Sequence, residues 1–370
     1  MNKKLLLMGH WDGRGGSQTA FRMLIDFANQ EGYDLKVIAI SDHLDGKILA
    51  DNTPVISAIP HKTGTVLLKI NKLLGLFAAG IRTKAWAPEI FVSVGLNNSA
   101  LTIARFMGSK TFKIGQEFIA DRPIDDPLWL KSLSLFDGIA VQAPAMLACH
   151  RQVQPDIDGV NWLPCFPEPP IADVIQKNSA GKDGVVRISY FGRLAGNKGL
   201  DLLLTALAHP EIPADLSIDI WGKGEEEQRL KDLNSSLALT GRVRFMGPYP
   251  EGRTGAEQMA SYDCLVLCST RTEGLPLILL EAMAYGLPIM ATNVGAIRDC
   301  CVDNPDAILI EPNEKSIVAG LQQVYQRVVN HRFDPDRQRQ FYQKEFSYPV
   351  MASRWRKCLE EPRKFFYGHR

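Results

Sequence analysis

Two carboxylates eight residues apart, Glu273 and Glu281, mark the segment in which chemistry is most strongly indicated. Pro276 suits the first turn of a helix, and Gly286 followed by Pro288 suits its end. Glu273 is therefore predicted in the loop before this helix, and Glu281 inside it among apolar residues. Because an unpaired buried carboxylate is costly, Glu281 needs a partner, and sugar or ribose hydroxyls would serve. A capping glutamate and an internal salt bridge are the structural alternative.

The sequence also offers groups that bind phosphate. Backbone N–H groups near Leu277 and Ile278 have no partner inside the predicted helix and can bind an anion. Arg193 and Lys198 stand five residues apart in a glycine-containing loop, where both can face a ligand. Arginine offers phosphate oxygens a planar fork, and lysine offers a point charge. Two solvated surface cations are the alternative.

Two further glycine-containing loops are candidate binding segments. Residues 13–17 follow the first predicted strand, where glycines let the backbone approach an anion closely. A dinucleotide fingerprint would require glycine at the position of Gln18, so NAD binding is disfavoured. Residues 221–224 would let the backbone pack against a flat base. For each loop, an ordinary turn is the alternative.

These loops need regular elements to position them, and the sequence predicts parallel sheets of the doubly wound kind. Short β-rich apolar runs alternate with helical patterns throughout. In the first half, strands are predicted at residues 4–8, 35–40, 89–94, 111–114 and 138–142. In the second half, they are predicted at residues 186–191, 216–221, 243–246, 264–268, 288–291 and 307–310. Two such domains predict a cleft, with ligands at the carboxyl ends of both sheets.

The predicted domain boundary lies in a proline-rich stretch. Residues 164–183 contain four prolines and then a polar run, which is typical of a linker. We predict an N-terminal Rossmann-like domain at 1–165, a linker at 166–184 and a C-terminal Rossmann-like domain at 185–345. A C-terminal helix at 346–370 could return to the first domain.

Composition argues against several other classes of protein. Lys and Arg total 42 against 41 Asp and Glu, so the basic excess of a nucleic-acid binder is missing. The longest uncharged apolar run, residues 73–81, is too short to span a bilayer, and residues 5–8 are too few for a signal peptide. The seven cysteines match no zinc spacing and are interpreted as thiols of a reducing compartment. A cytoplasmic protein is predicted.

Taken in chain order, the motifs resemble those of retaining glycosyltransferases of the GT-B fold. They are the Gly-Gly loop, Gly-Arg-x4-Lys-Gly, Gly-x-Gly and Glu-Gly-Leu-Pro-x4-Glu-Ala. More narrowly, they resemble the group-1 family (family 4), which builds lipopolysaccharide, capsule and glycolipid chains. The resemblance covers most of the chain and is strongest over residues 188–312. Glu273 and Glu281 match the E-x7-E signature of that family, its most specific element.

The resemblance implies a role for each matching residue. Glu281 would hold the ribose hydroxyls of a nucleotide-sugar, and Glu273 would face the donor sugar. Arg193 and Lys198 would neutralise the diphosphate in place of a metal, so no cofactor or metal is expected. These two cations and Glu273 are the predicted catalytic residues. The other predicted donor-binding residues are Gly15, Gly16, Ser17, Gly192, Gly222, Lys223, Gly224, Met246, Gly274, Leu275, Leu277 and Ile278.

The acceptor side departs from the family pattern. Many relatives carry a histidine after the fourth or fifth strand, and neither residues 93–98 nor residues 114–118 contain one. The acceptor-side candidates are Arg14, Gln116 and Glu117. The departure leaves the donor half intact and the acceptor unidentified.

The resemblance implies transfer of a hexosyl group from a UDP- or GDP-sugar to a glycan or glycolipid acceptor, with retention of configuration. A nucleotide-sugar 2-epimerase and a non-catalytic nucleotide-sugar-binding protein are the alternatives. The basic and apolar stretch 62–84 contains no acidic residue and could lie on an anionic membrane, at the inner face of the cell membrane. A helix that packs its apolar face on the sheet is the alternative for this stretch.

Overall fold

The computed structural model describes residues 3–12, 15–41, 55–59, 66–120, 122–176, 184–271 and 273–368. The chain divides into two compact units, one of Met1–Glu168 with Met351–Arg370 and the other of Pro169–Val350. Each unit contains one sheet, in which the described strands pair in parallel. The predicted α/β fold with two doubly wound sheets is confirmed. Arg14, residues 62–65 and residues 177–183 of the predicted linker lie outside the described residues.

The described residues of the first unit form a seven-stranded sheet. Its strands are β1 (Lys4–His10), β2 (Asp34–Ile40), β3 (Val55–Ile59), β4 (Ile90–Ser93), β5 (Phe112–Glu117), β6 (Gly138–Val141) and β7 (Val160–Trp162). Their order is β3-β2-β1-β4-β5-β6-β7. The winding of the sheet therefore reverses between β1 and β4, which is its topological switch point. Leu5, Leu6 and Leu7 are fully buried, as expected for a central parallel strand covered on both faces.

The helices of this unit are α1 (Gly16–Gln30), α2 (Val66–Trp86), α3 (Asn98–Phe106), α4 (Pro127–Leu135) and α5 (Pro144–Val153). Of these helices, α3 and α4 begin at side-chain caps. The Asn97 side chain accepts a hydrogen bond from Ala100 N at 2.9 Å and starts α3. Asp126 accepts bonds from two backbone N–H groups of α4, and Pro127 occupies the first turn. Such caps satisfy N–H groups that have no partner within the helix.

The second unit repeats the architecture with six strands in its described residues. They are β8 (Val186–Phe191), β9 (Leu216–Trp221), β10 (Val243–Gly247), β11 (Cys264–Leu267), β12 (Ile289–Thr292) and β13 (Ala307–Ile310), in the order β10-β9-β8-β11-β12-β13. Its helices are α6 (Leu200–Leu207), α7 (Glu227–Ser236), α8 (Gly252–Ala260), α9 (Leu277–Ala284), α10 (Ile297–Cys301), α11 (Glu314–Val329) and α12 (Pro335–Glu345). The winding of this sheet reverses between β8 and β11.

Two helices at the end of the described chain, α13 (Tyr348–Glu360) and α14 (Pro362–Tyr367), complete the fold. From Met351 onward the chain belongs to the first unit. The buried Trp355 indole donates to Pro164 O at 2.8 Å and stacks on Phe166. Among the residues described, no helix combines the length and the apolar character needed to cross a membrane.

Candidate functional site

Two loops of the second unit meet where the winding of its sheet reverses. β8 pairs with β9 on one side and with β11 on the other. Residues 192–199, after β8, therefore lie beside residues 268–271 and 273–276, after β11. Ligands of open α/β sheets bind at the carboxyl ends of the strands at such a point. Both loops contain residues that the sequence analysis selected.

Backbone hydrogen bonds hold these loops and their neighbours together. Thr270 N donates to Asn197 O at 2.9 Å, which joins the loops after β8 and β11. Leu194 N donates to Lys223 O at 2.9 Å, which joins the loops after β8 and β9. The described ends of three strands, β8, β9 and β11, are therefore joined by hydrogen bonds and are not independent turns.

An ion pair between Lys198 and Glu273 lies at the centre of this surface. Lys198 Nζ donates to Glu273 Oε1, and Ser269 Oγ donates to the same oxygen at 2.6 Å. The side chains of Lys198 and Glu273 are 20% and 13% exposed, so both are largely buried yet reachable from solvent. A phosphate group that bound here would compete with Glu273 for the ammonium. The structure thus brings together two of the three predicted catalytic residues.

Arg193, the third predicted catalytic residue, is exposed on the same loop. The buried Tyr190 hydroxyl donates to Arg193 O at 2.8 Å and fixes the backbone there. Burial raises the pKa of Tyr190 well above its usual value, and the nearby Glu273 carboxylate raises this pKa further. Tyr190 therefore stays a neutral hydrogen-bond donor, while the Arg193 side chain is available to a ligand.

Helix α9 presents two predicted donor-binding residues on one face. The helix begins at Leu277, after Pro276 in an extended conformation, so the N–H groups of Leu277 and Ile278 belong to its first turn. Ile278 and Glu281 are its two partly exposed residues, and their three-residue spacing puts them on one face. Burial raises the pKa of Tyr342 to about 12, and the Glu281 carboxylate adds to this shift. Glu281 is therefore partly exposed, although it lies inside α9 between the buried Leu280 and Ala282.

The turn after β9 owes its glycines to contact with the loop after β8. A Cβ at Gly222 would lie 1.8 Å from Gly192 O, and one at Gly224 would lie 2.1 Å from Leu194 O. These glycines were predicted to form a surface for a base, and the sequence alone does not reveal that they are needed for packing. Lys223 between them is exposed, as is Met246 on β10. Contact of this turn with a base stays a prediction.

A buried network fixes β9 just before that turn. The Trp221 indole donates to the Tyr262 hydroxyl at 2.8 Å, and this hydroxyl donates to Asp219 Oδ2 at 2.8 Å. Arg244 reaches the same carboxylate with two bonds of 2.6 Å. Because every polar group in this chain of contacts has a partner, the end of β9 is held rigidly.

In the first unit, Gly15, Gly16 and Ser17 lie at the start of α1. Gly15 is the N-terminal cap, and Ser17 Oγ donates to Gln18 Oε1 at 3.0 Å. They follow β1, which is also the strand at which the winding of this sheet reverses. A helix N-terminus at this point of a parallel sheet is a common place for anions to bind, and contact of these three residues with a donor stays a prediction.

The acceptor-side candidates are buried. Gln116 and Glu117 are each 1% exposed. Glu117 accepts hydrogen bonds from Phe118 N at 2.7 Å and Ile119 N at 2.8 Å, and it forms an ion pair with Arg122. These contacts give Glu117 a structural function in the loop after β5. Its predicted acceptor-side role gains no support from this geometry.

The second unit matches a known family. Residues 173–338 match the model of Glycosyl transferases group 1. An uncharacterized glycosyltransferase of Haemophilus influenzae is 34% identical over 40% of this chain and 42% of its own length. A D-inositol 3-phosphate glycosyltransferase of Salinispora tropica is 27% identical over 44% of this chain and 36% of its own length. The chain thus spans about two fifths of these relatives. The second unit is thus similar to the group 1 glycosyl transferases, and the predicted resemblance to that group is confirmed.

Solved structures share the fold over nearly the whole chain. HepE from Anabaena, in complex with UDP and glucose, has a TM-score of 0.77 at 15% identity, covering 97% of this chain and 100% of its own. Sucrose-phosphate synthase from Thermosynechococcus elongatus has a TM-score of 0.77 at 17% identity, covering 98% and 99%. The lipopolysaccharide outer core galactosyltransferase WaaB has a TM-score of 0.72 at 16% identity, covering 97% and 99%. The predicted GT-B fold is confirmed.

Proposed function

We propose that this protein is a glycosyltransferase that moves a hexosyl group from a UDP- or GDP-sugar to a glycan or glycolipid acceptor. It would retain the anomeric configuration, work without a metal and act in the cytoplasm in the synthesis of cell-surface polysaccharide or glycolipid. Support comes from the family match and from relatives whose names describe glycosyl transfer. Further support comes from the similarity to HepE, which was solved with UDP and glucose.

The observation that carries the proposal is the cluster of Lys198, Glu273 and Ser269 at the reversal of the second sheet. It combines a cation for a diphosphate with a carboxylate for sugar hydroxyls. The first turn of α9 supplies backbone N–H groups in the same loop region. Glu281 on α9 is suited to bind ribose hydroxyls. The four features together match the chemistry of a nucleotide-sugar.

The proposed reaction replaces one bond at the anomeric carbon by another. The bond between this carbon and the diphosphate oxygen breaks, and a bond to the acceptor oxygen forms on the same face. A donor phosphate oxygen accepts the proton of the acceptor hydroxyl, so no protein nucleophile is needed. Negative charge grows on the leaving diphosphate, and Lys198 and Arg193 would stabilise it. The same two cations take the place that a metal ion would otherwise occupy.

Nucleotide binding is the first experiment. Thermal shift and calorimetry with UDP, GDP, ADP and their sugars would identify the donor, because a ligand that binds the folded state raises the melting temperature. We expect one nucleotide to bind and Glu281→Gln to weaken it. Glu314→Gln, an exposed glutamate of α11, is the matched control. Failure of every nucleotide to bind would contradict the proposal.

Product analysis separates glycosyl transfer from the two alternatives. With the identified nucleotide-sugar, a glycosyltransferase transfers the sugar slowly to water and faster to a suitable acceptor. Each transfer releases nucleoside diphosphate. A 2-epimerase would change the configuration at carbon 2 of the sugar. A non-catalytic binder would leave the nucleotide-sugar intact. Retention is tested by NMR of the anomeric proton in the product.

A further inference from the structure

Helix α2 exposes a continuous apolar stripe. Five large side chains are between 48% and 62% exposed, and they are Ile70, Leu73, Leu74, Phe77 and Ile81. Their spacing of three, one, three and four residues places them on one face of the helix. Isolated exposed apolar residues are ordinary, but a contiguous patch marks an interaction surface. We call these five residues the α2 stripe.

The α2 stripe is not the side of the helix that packs on the protein. Leu76, Ala79 and Thr83 are buried and form the packed side. Gly80 lies against Phe106 of α3, since a Cβ there would lie 2.4 Å from that ring. Packing within the unit, the alternative considered from the sequence, therefore accounts for one face of α2. It leaves the stripe largely exposed, although the edge of Phe77 also contacts Phe106.

The charged residues of α2 itself are all basic. Helix α2 contains no acidic residue, and Lys69 and Lys84 are exposed near its two ends. Trp86 at the last turn lies between Lys4 and Lys36, whose Nζ atoms are 5.7 and 4.8 Å from the ring centroid. Tryptophan and lysine are typical of the interface between membrane and water.

We propose that α2 docks on an anionic lipid surface, with the α2 stripe in the acyl boundary and Lys69 and Lys84 at the headgroups. A second copy of the chain is a poorer partner. Two stripes that faced each other would bring lysines together without an acidic residue in α2 to pair with them. This proposal goes beyond glycosyl transfer and does not depend on it.

Vesicle sedimentation of the full chain tests the proposal. We expect binding to vesicles of phosphatidylglycerol with phosphatidylcholine, weak binding to pure phosphatidylcholine, and release as ionic strength rises. Leu74→Ser with Ile81→Ser should lower the partition coefficient by at least about tenfold. Leu130→Ser with Val329→Ser, at side chains of similar exposure elsewhere, should bind as the wild type does. Equal binding by both double variants would overturn the proposal.

Two further measurements keep the result interpretable if a variant is unstable. Hydrogen exchange of the wild type with and without anionic vesicles should show slower exchange in α2, and unchanged exchange there would contradict docking. Sedimentation velocity without lipid should show a monomer. A dimer that Leu74→Ser with Ile81→Ser dissociates would show that a second copy covers the stripe, and this would also overturn the proposal.

Discussion

Lys198 and Glu273 form an ion pair although 75 residues separate them in sequence. Each stands on a loop that follows one of two adjacent parallel strands, β8 and β11. Before a ligand binds, each charge partly neutralises the other. Under the proposed function, a nucleotide-sugar would exchange the Lys198–Glu273 contact for contacts of its own, which would couple donor binding to movement of these two side chains.

Replacing Lys198 should affect the chemical step more than donor binding. We expect Lys198→Met to lower kcat by about 10²–10³-fold with a smaller change in donor Kd, because charge on the diphosphate grows toward the transition state. Steady-state kinetics and calorimetry with the identified donor measure the two quantities. Lys231→Met, at an exposed lysine of α7, is the control. Equal losses in kcat and in donor affinity would contradict this role.

Ser269 is predicted to position the Glu273 carboxylate. Its side chain is fully buried, and its hydroxyl donates to Glu273 Oε1. Ser269→Ala should lower kcat by about tenfold, because a hydrogen bond to a charged group is lost while the glutamate remains. Ser269→Thr keeps the hydroxyl and should restore most of the activity. If threonine rescues no better than alanine, a packing effect and not the hydrogen bond accounts for the loss.

Gly222 is predicted to be essential for the packing of two loops. Its φ of 135° disfavours other residues, and a Cβ would lie 1.8 Å from Gly192 O. Gly222→Ala should reduce the free energy of unfolding by more than about 2 kcal/mol. Gly196→Ala is the matched control in the neighbouring loop, because a Cβ there meets nothing within 4 Å. Denaturant unfolding compares the two variants, and equal stability would refute the steric argument.

Two central strands of the second unit could be predicted well because they are largely buried and mostly apolar. β8 and β9 are each buried at five of their six residues and have the predicted bounds. The two strands that the sequence did not reveal, β3 and β7, are the edges of the first sheet. An edge strand pairs on one side only, and the three residues of β7 are too few to show a pattern.

Three helices, α4, α8 and α10, were not predicted, although the sequence at the start of α4 carries a clear signal. The Asp126-Pro127 pair is a cap followed by a first-turn proline, and it begins α4. The five-residue α10 is too short to show helical periodicity, and α8 begins with glycine and contains another. The single C-terminal helix predicted at residues 346–370 is two helices, α13 and α14.

In the candidate site, local sequence patterns predicted individual residues but not the contacts between them. Lys198 and Glu273 were each selected from their own motif, as a diphosphate ligand and a sugar ligand. That they contact each other depends on the pairing of β8 with β11, which no local spacing encodes. Ser269 was missed for the same reason, since one serine at the end of a strand is inconspicuous without the carboxylate it contacts.

The ion pair between Glu31 and Arg356 should make the stability of the first unit depend on pH. Arg356 donates to both carboxylate oxygens of Glu31, at 2.8 and 2.7 Å, and joins α13 to the end of α1. The hydrogen bonds from Arg356 lower the pKa of Glu31 below its ordinary 4.5, partial burial opposes this shift, and the charge of Arg356 adds to it. The folded state therefore holds the proton of Glu31 less tightly than the unfolded chain does.

It follows that the stabilising contribution of Glu31 is fully present above pH 4.5 and is lost as the pH falls through the folded pKa. Because Arg356 is 43% and Glu31 23% exposed, the contribution is screened by solvent and should be below about 1 kcal/mol. Urea unfolding of the wild type and Glu31→Gln should differ by this amount at neutral pH and converge in acid. Glu168→Gln, at an exposed glutamate of the same unit, should show no such convergence. A difference between the wild type and Glu31→Gln that persisted in acid would show that the substitution acts through packing and not through charge.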